Sequence, residues 1–293
     1  MKKALKIVSL VFAVVLMVST FAACGGTQED GKTADSTAAK VKVIDIALTD
    51  EQYAFGVDKD QPELLAQTNE FIAELMESGK FDEICNKYFG DGEPTAVISA
   101  AEDPSKDQLV VATNTPFPPY EYKEGKTYYG VDMEIAALLA EKLNKELVIK
   151  DMDFDAVCLS VGQHKCDLAM AGLTVNEERK EYVAFSDSYY TANQKIIVKG
   201  DDTTFDDCKT AEDVEAVLKG FDKTTKIGFQ NGTTGQFYTE GDKDWGFDGF
   251  KVEGKGYGSG AIAVQDLING NINYVVIDSD PANYITMAIN QVA

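Results

Sequence analysis

The chain has 293 residues, enough for one large domain or two lobes of ordinary size, and carries 27 basic against 49 acidic residues for a formal net charge of −22. So acidic a surface repels nucleic acid and anionic lipid, which excludes nucleic-acid binding. One histidine and five cysteines at no zinc spacing leave neither a metal nor a cofactor expected.

Residues 1–23 read as an export signal: Lys2 and Lys3, an apolar stretch from Ile7 to Val18, then small residues before Cys24. The run FAACGG resembles a lipoprotein signal, which makes Cys24 the lipidated residue and places the protein outside the cytoplasm, at the cell surface or in the periplasm. An uncleaved anchor is the alternative, because Ile7 to Ala23 nearly reaches spanning length. Residues 24–40 hold almost no large apolar side chain and read as a flexible tether, so the folded part starts near Val41. Cys85, Cys158, Cys166 and Cys208 then face an oxidising exterior, and their pairing does not follow from sequence. Cys158 and Cys166 read as small buried residues rather than as metal ligands with His164.

From Gln108 onward short apolar runs alternate with helical patterns, the sequence form of an α/β fold with largely parallel sheets. Strands are expected at 109–113, 147–150, 167–171, 195–198, 226–229, 250–253 and 274–277. The run 131–144 repeats apolar residues at helical spacing, with Asp132 and Glu134 in its first turn. In such sheets ligands collect beyond the carboxyl ends of strands, which singles out Asn114, Gly172, the loop QNGTTG (230–235) and Asp278. That loop precedes a helical start, so its amides suit an anion, but it lacks the lysine of a phosphate loop.

Arg179, in the run 173–190, is the only arginine beside 26 lysines. A lone planar, two-pronged donor points to a carboxylate or phosphate, although EERKE also fits an exposed helix face.

The blocks TNTPFPPYEY (113–122), GVDMEIAALLAEKL (130–143), DMDFDAV (151–157), DLAMAGLTVNEERKEYVAFSDSYYTANQ (167–194) and IGFQNGTTGQ (227–236) together resemble the polar amino-acid-binding proteins of ABC importers, family 3 of the extracytoplasmic solute-binding proteins. The resemblance implies a two-lobed, type II periplasmic-binding (Venus flytrap) fold and no enzyme activity. One feature departs from the family. Residues 54–90 look like its carboxyl-terminal strand and long helix, yet precede the block that normally opens the mature protein. The chain ends where a relative would continue into a strand like KVIDIAL (42–48). This order implies a circular permutation, with 91–108 as the linker joining the old ends; at about 3.3 Å per residue it could span more than about 50 Å. Residues 53–190 are then one lobe, 41–48 with 195–293 the other, and 49–52 with 191–194 the hinge.

Carried onto this chain, the resemblance implies that Arg179 takes an α-carboxylate, helped by the Thr174 hydroxyl, the backbone at Gly172 and the amides near Thr234, while Asp278 takes the α-ammonium. Phe117 and Phe154 match the aromatic positions that sandwich the ligand side chain. Asn114 stands where relatives carry a side-chain-reading aspartate, and Glu121 restores a negative charge if it points inward. The expected ligand is a polar or basic L-amino acid, captured by a monomer that closes at its hinge and docks on a membrane permease. Membrane attachment is through the lipid anchor only. A dehydratase of the same fold acting on prephenate-like acids, with Glu121 as acid or base, is the alternative, and a ligand-sensing receptor is a third reading.

Overall fold

The computed structural model describes residues 39–244 and 246–291. The export signal, Cys24 and all but the last two residues of the expected tether lie outside the described residues. Strands β1 (Val41–Ile44), β2 (Glu51–Tyr53) and β3 (Gly56–Asp58) lead into helices α1 (Pro62–Glu77) and α2 (Lys80–Phe89). Next come β4 (Gln108–Thr113), the hairpin β5 (Tyr122–Glu124) and β6 (Thr127–Tyr129), α3 (Val131–Lys142), β7 (Glu146–Asp151) and α4 (Phe154–Gly162). They are followed by β8 (Leu168–Ala169), α5 (Glu177–Lys180), β9 (Val183–Phe185), β10 (Tyr190–Ala192) and β11 (Gln194–Lys199). The described chain finishes with α6 (Ala211–Lys219), β12 (Lys226–Gln230), α7 (Thr234–Glu240), β13 (Glu253–Tyr257), α8 (Gly260–Ile268), β14 (Tyr274–Asp278) and α9 (Ser279–Gln291).

These strands make two five-stranded sheets, ordered β7-β4-β8-β3-β9 and β1-β11-β14-β12-β13. The sheets are mixed rather than largely parallel. β4 runs parallel to β7 and β8, and β12 to β13 and β14, whereas β3 and β11 run antiparallel to both their neighbours. The short ladder of β2 with β10 lies between the sheets. Central strands read as unbroken apolar runs because both faces are covered: Val275, Val276 and Ile277 of β14 and Ile196, Ile197 and Val198 of β11 are all buried.

Two expectations shift. The single long helix splits at Ser78 and Gly79, where Gly79 takes φ 73° and ends α1 in the left-handed conformation that glycine adopts freely. The strand expected at 250–253 forms instead at β13. Phe250 packs with Tyr238 and Phe247, so the apolar run fills a core beside α7 instead of a ladder. Gly254 and Gly256 occupy the ladder positions, where a Cβ would lie 2.4 Å from Glu240 Oε1 and 1.9 Å from Asn231 Oδ1.

Residues 97–101 line the outer side of the first sheet. Val97 exchanges backbone bonds with Tyr128, Ala100 N donates to Leu147 O at 2.8 Å, and Ile149 N donates to Ser99 Oγ at 2.8 Å. On the second sheet the first and last described elements meet: Lys40 N donates to Asn290 Oδ1 at 2.9 Å, and Asn290 Nδ2 donates to Val41 O at 2.8 Å.

Candidate functional site

Strand ends from both sheets converge on a small cavity lined by Phe117, Phe154, Gly172, Thr174, Arg179, Gln230, Thr233, Thr234 and Asp278. Seven of the nine residues singled out in the sequence therefore line one cavity; Asn114 and Glu121 are not part of its lining.

Arg179 is turned inward by the short helix that carries it. Asn176 caps α5 by accepting the Arg179 amide at 2.8 Å, and Arg179 is 7% exposed inside an otherwise charged run. Its Nη1 donates to Thr174 O at 2.6 Å and its Nη2 to Gly232 O at 3.0 Å, a bond that crosses from one sheet to the other. The Phe154 ring lies 5.1 Å from the guanidinium carbon. Two of the five guanidinium donors are held by carbonyls, which fixes the plane and leaves the others for an anion.

Gly172 has φ 54°, and a Cβ there would sit 3.0 Å from Phe117 Cε1. Its amide donates to Asp132 Oδ2 at 2.9 Å. This amide is therefore committed within the protein, while Gly172 itself stays in the cavity lining. Asp132 also accepts from Tyr189 at 2.7 Å, and burial pushes its carboxyl up to about 6. The Thr174 hydroxyl donates to Glu51 Oε2 at 2.6 Å and accepts from Thr234 Oγ1 at 3.2 Å.

Asp278 ends β14 and accepts the Tyr53 hydroxyl on Oδ1. Burial, then the nearby Glu51 charge, raises its carboxyl to about 7. Asn114 spends both polar atoms on protein, Nδ2 donating to Met152 O at 2.6 Å and Oδ1 accepting from Gln230 Nε2 at 2.8 Å. Glu121 is fully buried beside Phe117, which donates its amide to the Glu121 carbonyl at 2.7 Å. Neither carboxyl oxygen of Glu121 has a partner, and burial together with Asp132, Asp278 and Asp151 holds it well above the usual carboxylate range.

Sequence reasoning missed Glu51 and Tyr53, and singled out Gln230 only as the first residue of the loop 230–235. The alternation of Glu51 and Tyr53 on one face of a strand was the available signal for the first two. His164 approaches neither Cys158 nor Cys166 as a ligand group. Among the described residues it gathers with Asp58 and Asp60 at distances suited to a metal ion, its Nδ1 2.8 Å from Asp58 Oδ2. Cys85, Cys158, Cys166 and Cys208 are free thiols.

Two α/β halves that meet at a cavity beside a paired-strand connection are the architecture of a two-lobed solute receptor. The profile of the bacterial extracellular solute-binding proteins, family 3, matches residues 109–245, and the chain belongs to that family. It is 39% identical over 103 residues to an arginine-binding extracellular protein, ArtP, of Bacillus subtilis (strain 168), covering 35% of this chain and 40% of the relative. An arginine-binding periplasmic protein of Mannheimia haemolytica is 30% identical over 172 residues, 58% of this chain and 63% of its own. The chain thus spans less than two thirds of the length of these curated relatives. Among solved structures, holo ArgBP from T. maritima shares 34% identity at a TM-score of 0.50, covering 62% of this chain and 73% of that one. The ancestral amino acid-binding protein AncCDT-1, described as a precursor of cyclohexadienyl dehydratase, shares 27% at a TM-score of 0.51, covering 61% and 73%.

Proposed function

We propose that this protein captures a basic L-amino acid between its two sheets and delivers it to the permease of an ABC importer, from the outer face of a membrane to which Cys24 anchors it. The observation that carries this reading is the pair Arg179 and Asp278, of opposite charge, lining one cavity from opposite sheets. An α-amino acid presents a carboxylate and an ammonium that must both be matched once they leave water. The relatives named for arginine support a basic side chain. So do the unpartnered buried acceptors at and near the cavity, Oε1 of Gln230 and both oxygens of Glu121, because a guanidinium or ammonium supplies donors and no acceptor. Capture works by hinge closure: ligand held on the Arg179 side recruits the Asp278 side and shifts the equilibrium by its extra affinity for the closed form.

The chain order supports a circular permutation. β3 lies between β8 and β9 although about 110 residues of chain separate them, α1 and α2 follow it, and β1 completes the second sheet beside β11 and α9. The lobes then comprise 53–190 and 41–48 with 195–293, hinged at 49–52 and 191–194, with 91–108 joining the family's usual ends.

The test is a thermal-shift panel of residues 28–293, stripped of ligand by unfolding and refolding, against the twenty L-amino acids, cystine and prephenate. A ligand at about 1,000 times its Kd adds roughly 4 kcal/mol, a rise of several degrees. Shifts with arginine, lysine or histidine are expected. A shift with prephenate alone turns the reading to the dehydratase, and no shift with any amino acid removes the receptor.

A further inference from the structure

Away from the cavity, the one histidine of the chain sits in the turn between α4 and β8 and meets the end of β3. Asp58, the last residue of β3, is 4% exposed, and its Oδ2 lies 2.8 Å from His164 Nδ1. Asp60 Oδ2 lies 3.7 Å from the other ring nitrogen, Nε2. The three side chains thus offer one nitrogen and two carboxylate oxygens that all lie within 4.8 Å of one another. The turn is fixed by its own backbone: His164 N donates to Val161 O at 2.8 Å and Lys165 N to Ser160 O at 2.9 Å. Asp60 is steadied from the opposite side, where its amide donates to Asp58 Oδ1 at 2.9 Å.

An ionised carboxylate only accepts hydrogen bonds, so Nδ1 carries the ring proton and donates it to Asp58. The neutral ring then keeps its lone pair on Nε2, the nitrogen beside Asp60. The 3.7 Å between Nε2 and Asp60 Oδ2 is too long for a hydrogen bond. It suits an intervening ion, because two ligand atoms each about 2.0–2.1 Å from zinc at a tetrahedral angle lie about 3.4 Å apart. The surroundings favour a cation as well. His164 follows the carboxyl end of α4, where the helix dipole is negative. Lys59, which stands between the two aspartates in the chain, is drawn off to Glu181 O at 3.0 Å. Lys150, which reaches Lys165 O, is paired with Glu102 at 2.7 Å.

We propose that His164 Nε2 and Asp60 bind a divalent transition-metal ion of the zinc kind, with water completing its coordination, and that Asp58 is a positioning residue that holds the ring by Nδ1. Imidazole nitrogen with carboxylate oxygen suits zinc, nickel or copper(II), whereas magnesium and calcium take oxygen ligands. The carboxylate behind the histidine sets which nitrogen is free for the metal. Asp58 and His164 are 106 positions apart in the chain, so the ion staples the end of β3 to a distant turn of the same half. The site lies outside the amino-acid cavity and does not depend on the amino-acid reading.

The experiment titrates zinc chloride into chelator-washed protein by calorimetry and follows the ring nitrogens of His164, the chain's single histidine, by nitrogen-15 NMR. Zinc is expected to shift Nε2 while Nδ1 keeps its proton. His164→Gln and Asp60→Asn, both at exposed side chains, should each weaken zinc at this site at least tenfold and leave amino-acid affinity unchanged. Asp58→Asn should cost about 10–100-fold, the usual effect of losing the partner behind a ligating histidine. If Asp58→Asn does not fold, the wild-type ring proton decides its role: a proton on Nδ1 supports it, and a metal on Nδ1 overturns it. Wild-type zinc affinity in His164→Gln would put the ion on the cysteines or on scattered acids and overturn the site. Ring nitrogens unmoved by zinc would overturn it equally. Magnesium or calcium chloride at the same concentration should leave the ring signals of the zinc form in place; displacement of zinc by either would reduce the group to an acidic surface.

Discussion

The side-chain amide of Gln230, at the end of β12, donates to Asn114 Oδ1, just beyond β4, at 2.8 Å, and so ties the two sheets together beside the cavity. Arg179 with Gly232, Thr174 with Thr234 and Tyr53 with Asp278 cross the same gap. Asn114 is in this sense a latch. Gln230→Ala should remove about 1 kcal/mol from closure and weaken ligand binding about fivefold. Small-angle scattering of the ligand-free variant should show a larger radius of gyration than wild type; an unchanged radius with unchanged affinity would contradict the latch.

Arg179→Ala should cost about 3–5 kcal/mol of binding, because the ligand carboxylate is then buried without its partner. Arg179→Lys keeps the charge but loses the planar fork held by Thr174 O and Gly232 O, and should recover only part of the loss. Calorimetry with arginine measures both, and wild-type affinity in the alanine variant would sink the site.

Glu121 gives a selectivity prediction. Glu121→Gln keeps the shape but removes the negative charge that a basic side chain would draw out. Arginine should lose affinity about tenfold or more while glutamine loses little. Equal losses for the two ligands would assign Glu121 to packing alone.

The pH dependence of stability follows from the buried acids. Asp278, raised to about 7, and Asp132, raised to about 6, bind protons more tightly folded than unfolded. Their contribution is complete below an unfolded carboxyl pKa of about 4 and is lost as pH rises through about 6 to 7. Ligand-free protein should therefore melt at a higher temperature at pH 5 than at pH 8, and Asp278→Asn should flatten that slope. Exposed acids such as Asp45, held down by Lys195, act in the opposite direction, but only near and below about pH 4.

The proposed permutation is tested by reordering the chain. Residues 107–291 joined by a short linker to 40–90 should give the same circular dichroism and the same ligand preference, because Asn290 and Lys40 are already neighbours. Failure of the reordered chain to fold would argue that 91–106 is structural rather than connecting.

Most strands were legible because a buried strand must be apolar on both faces, and Arg179 was legible because arginine is scarce here. Asp278 was legible as a polar residue at a strand end. What escaped is non-local. Asp132 reads as an acid suited to a helix amino end, yet it is fully buried to hold the Gly172 amide and the Tyr189 hydroxyl. Tyr53 meets Asp278 across 225 residues of chain, a partnership that no spacing rule reaches. The apolar run at 250–253 misled because burial beside α7 and burial in a ladder leave the same composition.

The junction of Asn290 with Lys40 and Val41 sets how the molecule bears a pull. Tension arriving ahead of Lys40 passes into α9 through Asn290 and into β11 through the antiparallel β1 ladder, then to β14, which ends in Asp278. A tug at the amino end thus falls first on the β1 ladder and on Asn290, in the sheet that ends in Asp278, before it reaches the Tyr53 bond to the other sheet.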